Sequence, residues 1–195
     1  MERIKRQLEF LIQVDRLKSI FRRNYISDGT RKDNDAEHSW YFAMAALLLA
    51  EYSNEKIDIQ KVIQMALIHD LVEIDAGDTF VYDEEAKKGQ KDKEKKAAGR
   101  IFGLLPEDQK KFVYDLWNEF EENLTGESKY ARSIDRLVAI LLNDKSNGKA
   151  WKENHIKYSQ VYEVNKRIAE GSSKLWELVE KIIRNAAVEG KLEIQ

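Results

Sequence analysis

Proline occurs once in 195 residues, at Pro106, and glycine only nine times. A proline inside a helix costs about 3 kcal/mol and a glycine about 1 kcal/mol. A chain with so few of either is free to run in long helices joined by short loops. Apolar residues recur at helical spacing along most of its length. Ile4, Leu8, Leu11, Ile12 and Ile20 predict a first helix over 3–21. The polar stretch SDGTRKDND then reads as a loop, and Asn34 or Asp35 can cap a second helix reaching about Tyr52. Asp58 is placed to cap a third, with Val62, Met65, Ala66 and Ile68 on its apolar side and Gly77 to stop it. Further helices are expected over 84–102, from Pro106 to about Asn123, and over 128–143, 159–171 and 172–190. No strand, internal repeat or linker stands out, so the expectation is an all-α bundle in one domain over 1–195.

Composition narrows the function classes. Hydrophobic residues make up 43% of the chain, enough for a packed core. Charged residues make up 35%, but their signs nearly cancel at a net charge of −2, which gives no general pull toward a nucleic-acid polymer or an anionic membrane. The absence of cysteine rules out disulfides, thiolate metal sites and a cysteine nucleophile. The start MERIKRQLEF is charged from its second residue and lacks the apolar stretch of a secretory signal, and the apolar run 43–50 is far too short to span a bilayer. A cytoplasmic, membrane-free protein is expected. The six lysines of 87–96 read as a solvated helix face, or more sharply as a basic lip for a phosphorylated substrate.

Three polar residues sit where core is expected. His38 shares a helical face with Phe42, Ala45 and Leu49; His69 follows Val62, Met65 and Ala66; Asp135 lies among Ala131, Ile134, Val138 and Leu142. An unpaired polar group in such a place is costly, and a buried aspartate needs a cation or several donors. At ~100° per residue, His69, Asp70 and Glu73 fall within one ~100° arc and can face a single point. Two histidines and two aspartates, His38, His69, Asp70 and Asp135, would hold one divalent ion and leave positions for water and substrate. Mixed nitrogen and oxygen ligands suit Co, Mn, Zn, Fe or Ni, and Mg is a poorer sole ion.

The segments AEHSW, ALIHDLVEIDAGDT and ARSIDRL, in that order, resemble the HD-domain superfamily of metal-dependent phosphohydrolases, and within it the 5′-deoxynucleotidase branch. The likeness covers about 16–143. It implies a helical bundle with a central divalent ion held by His38, His69, Asp70 and Asp135. It also implies hydrolysis of deoxynucleoside 5′-monophosphates and a homodimer. Glu73 and Asp78 match the family's acidic pair beside the metal, and Arg22 in RLKSIFRR aligns with its substrate arginine. Arg23 stands where bacterial members often carry tryptophan, and the loop before His38 is longer, over 27–33. Both departures leave base and sugar preference open.

On this reading an ion lowers the pKa of a water and polarises a phosphoryl oxygen. Arg22, with Arg23 as its substitute, neutralises phosphate charge. Glu73 shuttles a proton or orients a ligand, and Asp78 orients the water or touches the sugar. His155, in WKENH, is expected to serve structure or solvent only. Two alternatives stay open: another phosphoester, such as a diester or a nucleoside triphosphate, and a non-catalytic metal-stabilised module that binds a nucleotide.

Overall fold

The computed structural model describes residues 1–83 and 85–194. In chain order it runs α1 (Glu2–Val14), a 3₁₀ turn (Asp15–Ser19), β1 (Phe21–Tyr25), β2 (Lys32–Asn34) and α2 (Asp35–Leu48). Then follow α3 (Ile59–Ile68), the one-turn α4 (Glu73–Ala76), α5 (Gln90–Phe102) and α6 (Glu107–Glu122). The chain ends with α7 (Gly126–Lys145), α8 (Lys149–Glu153), α9 (Tyr158–Asn165), α10 (Ile168–Gly171) and α11 (Ser173–Val188).

The three helices at the centre are those with the best start signals. The Asn34 side chain accepts from Glu37 N to open α2, Asp58 accepts from Gln60 N and Lys61 N to open α3, and Thr125 and Ser128 cap α7 reciprocally. Each cap satisfies N–H groups that have no partner within the helix. α2, α3 and α7 pack on one another, and Phe42, Met65, Ala66, Ile134 and Val138 are wholly buried between them. Val161, Ile168, Val179 and Ile183 from α9, α10 and α11 close one side of this core. On the other side Ala98, Ile101, Phe102 and Trp117 from α5 and α6 form a second cluster with Leu71, Val72 and Ile74. The outer face of α2 is apolar as well: Trp40, Met44, Leu47 and Leu48, at i, i+4, i+7 and i+8, are exposed.

The fold departs from the sequence expectation in six places. The first helix stops at Val14, and the chain passes through the 3₁₀ turn to Ile20, which is extended. β1 and β2 form an antiparallel hairpin, pairing Phe21 with Asn34 and Tyr25 with Lys32, so the expectation of no strand is corrected. Strands of five and three residues are too short to print a period of two. The long loop over 27–33 is the hairpin's turn and the start of β2. The third helix also divides: α3 ends at Ile68, and a tightened turn leads into α4. Gly77, with φ of 77°, then ends the segment as expected. The helix expected from 84 starts at Gln90, and its proposed first residue, Glu84, lies outside the described residues. Finally, 159–171 forms two helices because the amides of Ala169 and Glu170 bond the third residue back, and the expected loop after Gly148 contains α8.

The closest helix approach is α10 on α7. A Cβ on Gly171 would lie 2.3 Å from the Lys129 carbonyl oxygen and 2.6 Å from Ser133 Oγ. A Cβ on Gly99, in α5, would meet nothing within 4 Å. Gly171→Ala should therefore destabilise the protein by about 1–3 kcal/mol through overpacking. Gly99→Ala should stabilise it by about 0.5–1 kcal/mol. Denaturant midpoints of the two variants should move in opposite directions.

Candidate metal centre

His38 projects from α2 and Asp135 from α7, and their Nε2 and Oδ1 atoms are 3.0 Å apart. His69 sits one residue past α3, and its Nε2 is 3.1 Å from Asp70 Oδ2. The cross distances are 3.8 Å from His38 Nε2 to Asp70 Oδ2 and 4.0 Å from His69 Nε2 to Asp135 Oδ1. Ligand atoms bonded at ~2.0–2.2 Å to one ion stand about 3–4 Å apart, which is the spacing seen. The tautomer of His69 is fixed by a neighbour. Its Nδ1 lies 2.9 Å from the Ala66 carbonyl oxygen, which can only accept, so Nδ1 carries a proton and Nε2 is the nitrogen turned toward the aspartates. That Nε2 is buried and has no hydrogen-bond partner among the described residues. Phe42 and Phe120 each meet the His69 ring edge-on with centroids 5.2 Å away, which holds the ring in place.

The turn between α3 and α4 decides which acids meet. Leu71, Glu73 and Ile74 each donate their amide to the third residue back. In such a 3₁₀ turn residues three apart eclipse. Asp70 and Glu73 therefore share a side, while His69 turns to His38, with ring centroids 5.3 Å apart. The single arc expected for His69, Asp70 and Glu73 becomes two adjoining groups. The ligand atoms of His38, His69 and Asp135 lie within 4.8 Å of one another, as do those of Asp35, Asp70 and Glu73.

Asp35 is a site residue that the sequence reading placed only as a possible helix cap. Asn34 does the capping, and Asp35 is fully buried with its Oδ2 lacking a partner among the described residues. Its position three residues before His38, on one helical face, was the available clue. Arg22, on β1, donates to Asp70 Oδ2 at 2.7 Å and to Asp35 Oδ1 at 3.2 Å.

The charges in this pocket do not balance. Burial drives the Asp35 carboxyl up to about 7, and the charge of Asp70 adds to it. Burial also lifts Glu73 well above the usual carboxylate range, with Asp70 and Asp35 reinforcing it, and raises Asp78 despite Arg22. His69 is desolvated, yet the charges of Asp70 and Asp135 pull its pKa up. Arg22 is desolvated too, and Asp70, Glu73, Asp78 and Asp135 still hold it firmly protonated. Asp70 and Asp135 resist burial and stay ionised through His69, Arg22 and His38. The acids raise one another's pKa values here, so the pocket favours an added positive charge. Two imidazoles with two ionised aspartates suit a divalent ion of mixed N/O preference, and the donor set fits.

A cleft of about 240 Å³ opens beside these residues. Arg22, Arg23, Asn24, Asp78, Asp135 and Asn143 are among its lining residues. It is small among ligand sites, which run to about 300–1,000 Å³. Arg23 is exposed, unlike Arg22. The lysines of 88–96 are exposed and do not line the cleft, in keeping with a solvated face. His155 is also exposed, its Nδ1 lies 2.8 Å from Glu193 Oε1, and it does not line the cleft.

Comparison with known proteins agrees with this geometry. A crystal structure from Magnetospirillum magnetotacticum MS-1, described as a predicted metal-dependent phosphohydrolase, matches with a TM-score of 0.93 and 40% identity, covering 99% of this chain and 100% of that one. The 5′-deoxynucleotidase HDDC2 of Xenopus laevis is 33% identical over 138 residues, which is 70% of this chain and 67% of that protein. The human HDDC2 is 29% identical over 135 residues, 69% of this chain and 65% of its own length. The family model described as the HD domain matches residues 14–176, and the chain belongs to the HD-domain family.

Proposed function

We propose that the chain is a metal-dependent phosphohydrolase acting on deoxynucleoside 5′-monophosphates. The observation that carries this reading is the convergence of His38, His69, Asp70 and Asp135 at ligand spacing, with acids and an arginine beside them and a cleft leading away. The name of the HDDC2 relatives supports the substrate class. No helix among the described residues is long and apolar enough to cross a membrane.

In this reading His38, His69, Asp70 and Asp135 hold the ion, which when bound supplies acidity to a water and polarisation to a phosphoryl oxygen. Arg22 neutralises the phosphate. Its guanidinium presents several N–H groups in a fixed fork, so it can donate to a phosphate oxygen while Asp35 holds it. Glu73, kept protonated by burial and by Asp70, gives a proton to the leaving 5′-oxygen. Asp78 orients the water or the sugar from the cleft wall. Arg23, exposed at the same wall, is the second phosphate contact.

The protein is also proposed to be a homodimer. α2 is apolar on both its inner and outer faces, and a helix apolar all round is expected to be covered on all sides. The exposed row of Trp40, Met44, Leu47 and Leu48 is the face a second copy would cover.

Three measurements test these readings. Protein stripped of metal should take up a divalent ion in calorimetric titration. His69→Ala and Asp70→Ala should lose that uptake, and His155→Ala should keep it; uptake unchanged by the first two would remove the assignment. At an ion concentration of 100 Kd, the wild type should gain about 2.7 kcal/mol of stability. With Co or Mn restored, the enzyme should release phosphate from deoxynucleoside monophosphates, and Asp70→Ala should not. Glu73→Gln should bind the ion and lose about 10²- to 10⁴-fold in kcat. Wild-type turnover by that variant would end its role as the acid, and full loading without release from any monophosphate would end the proposed activity. Light scattering should give twice the chain mass for the wild type and a single chain mass for Trp40→Glu with Leu47→Glu; a monomeric wild type would dismiss the dimer.

A further inference from the structure

Asp135, Ala139 and Asn143 stand at i, i+4 and i+8 on α7, and all three line the cleft. Eight residues at 1.5 Å rise put Asn143 about 12 Å along the helix from the metal ligand. That separation is comparable to the span of a nucleoside 5′-monophosphate from phosphorus to the edge of its base. A phosphate held beside Arg22 and Asp135 therefore leaves the far end of such a molecule near Asn143.

The amide of Asn143 is fixed by its neighbours. Nδ2 donates to the Ala139 carbonyl oxygen at 3.0 Å and to Asn24 Oδ1 at 3.1 Å. A carbonyl can only accept, so the nitrogen end is identified and both its hydrogens are used. Asn143 is 4% exposed. Its Oδ1 is buried and has no hydrogen-bond partner among the described residues. A buried acceptor without a donor is unfavourable, and a ligand that supplies the donor relieves that cost. A site built around such an atom rejects ligands lacking the matching group.

We propose that Asn143, oriented by Asn24, is a specificity-determining residue that accepts a hydrogen bond from an N–H group on the base of the substrate. Resting on the proposed nucleotidase activity, the inference deepens it by naming what reads the base. Asn24 is half-buried on β1, two residues from Arg22 on the same strand. The strand that brings the phosphate-binding arginine thus also brings the residue that sets the Asn143 amide.

The test compares deoxyadenosine 5′-monophosphate with 2-deoxyribose 5-phosphate, which keeps the phosphate and sugar and lacks the base. Asn143→Ala should raise KM for the nucleotide about 10- to 100-fold with little change in kcat, and leave kcat/KM for the sugar phosphate unchanged. Asn24→Ala should act in the same direction with a smaller effect, and it carries the test if Asn143→Ala does not fold. An unchanged KM for the nucleotide, or an equal loss on both substrates, overturns the assignment. Calorimetric binding of the nucleotide to the metal-loaded protein separates this from the activity itself. If the wild type binds it but releases no phosphate, the activity reading fails alone, and weaker binding by Asn143→Ala still supports the base contact. Equal binding by wild type and variant, or none by either, overturns the contact.

Discussion

One guanidinium faces the carboxylates of Asp35, Asp70, Glu73, Asp78 and Asp135 in a pocket largely closed to water. Placing that much like charge among helices is costly, because burial strips away the solvent that would screen it. The structure shows how the strain is distributed. Asp70 and Asp135 remain ionised next to two imidazoles and Arg22, while Asp35 and Glu73 shift toward their neutral forms. The acids therefore fall into two kinds by environment alone, those held ionised and those pushed toward the neutral form. Neighbouring titratable groups pushed apart in this way are a common sign of a working site. Everything else in the centre of the fold serves to keep these groups at fixed separations.

That fixing is done by close-packed apolar side chains. His69 is held between Phe42 and Phe120, and His38 lies within the same buried layer. The candidate ligands come from α2, the end of α3 and α7, three helices that each have a well-formed start and that pack on one another. Groups mounted on packed helices hold their geometry better than groups on loops.

The helical core and three of the four candidate ligands were legible in the sequence because they share one cause. His38, His69 and Asp135 interrupt apolar faces, and an interruption is visible wherever the periodicity around it is strong. The hairpin was not legible, since Phe21–Tyr25 and Lys32–Asn34 are too short for alternation to register. The division of the third helix escaped for a different reason. A change from fourth-neighbour to third-neighbour hydrogen bonding leaves no mark in composition, although it turns Asp70 and Glu73 to one side. Asp35 was visible but misassigned, because an aspartate at a helix start is usually a cap and Asn34 had taken that place. Asn143 lay beyond the strongly apolar stretch of α7, where a polar residue raises no suspicion.

The hairpin separates two tasks that an enzyme must perform together. The ligands sit on core helices, where a substitution disturbs packing across the protein. Arg22, Arg23 and Asn24 sit on a short two-stranded ribbon at the edge of that core, beside a turn that contains Gly29. Substitutions in the ribbon can therefore alter which molecules are accepted without disturbing the packing of the helices that carry the candidate ligands. Selectivity in such a protein is free to evolve faster than its chemistry.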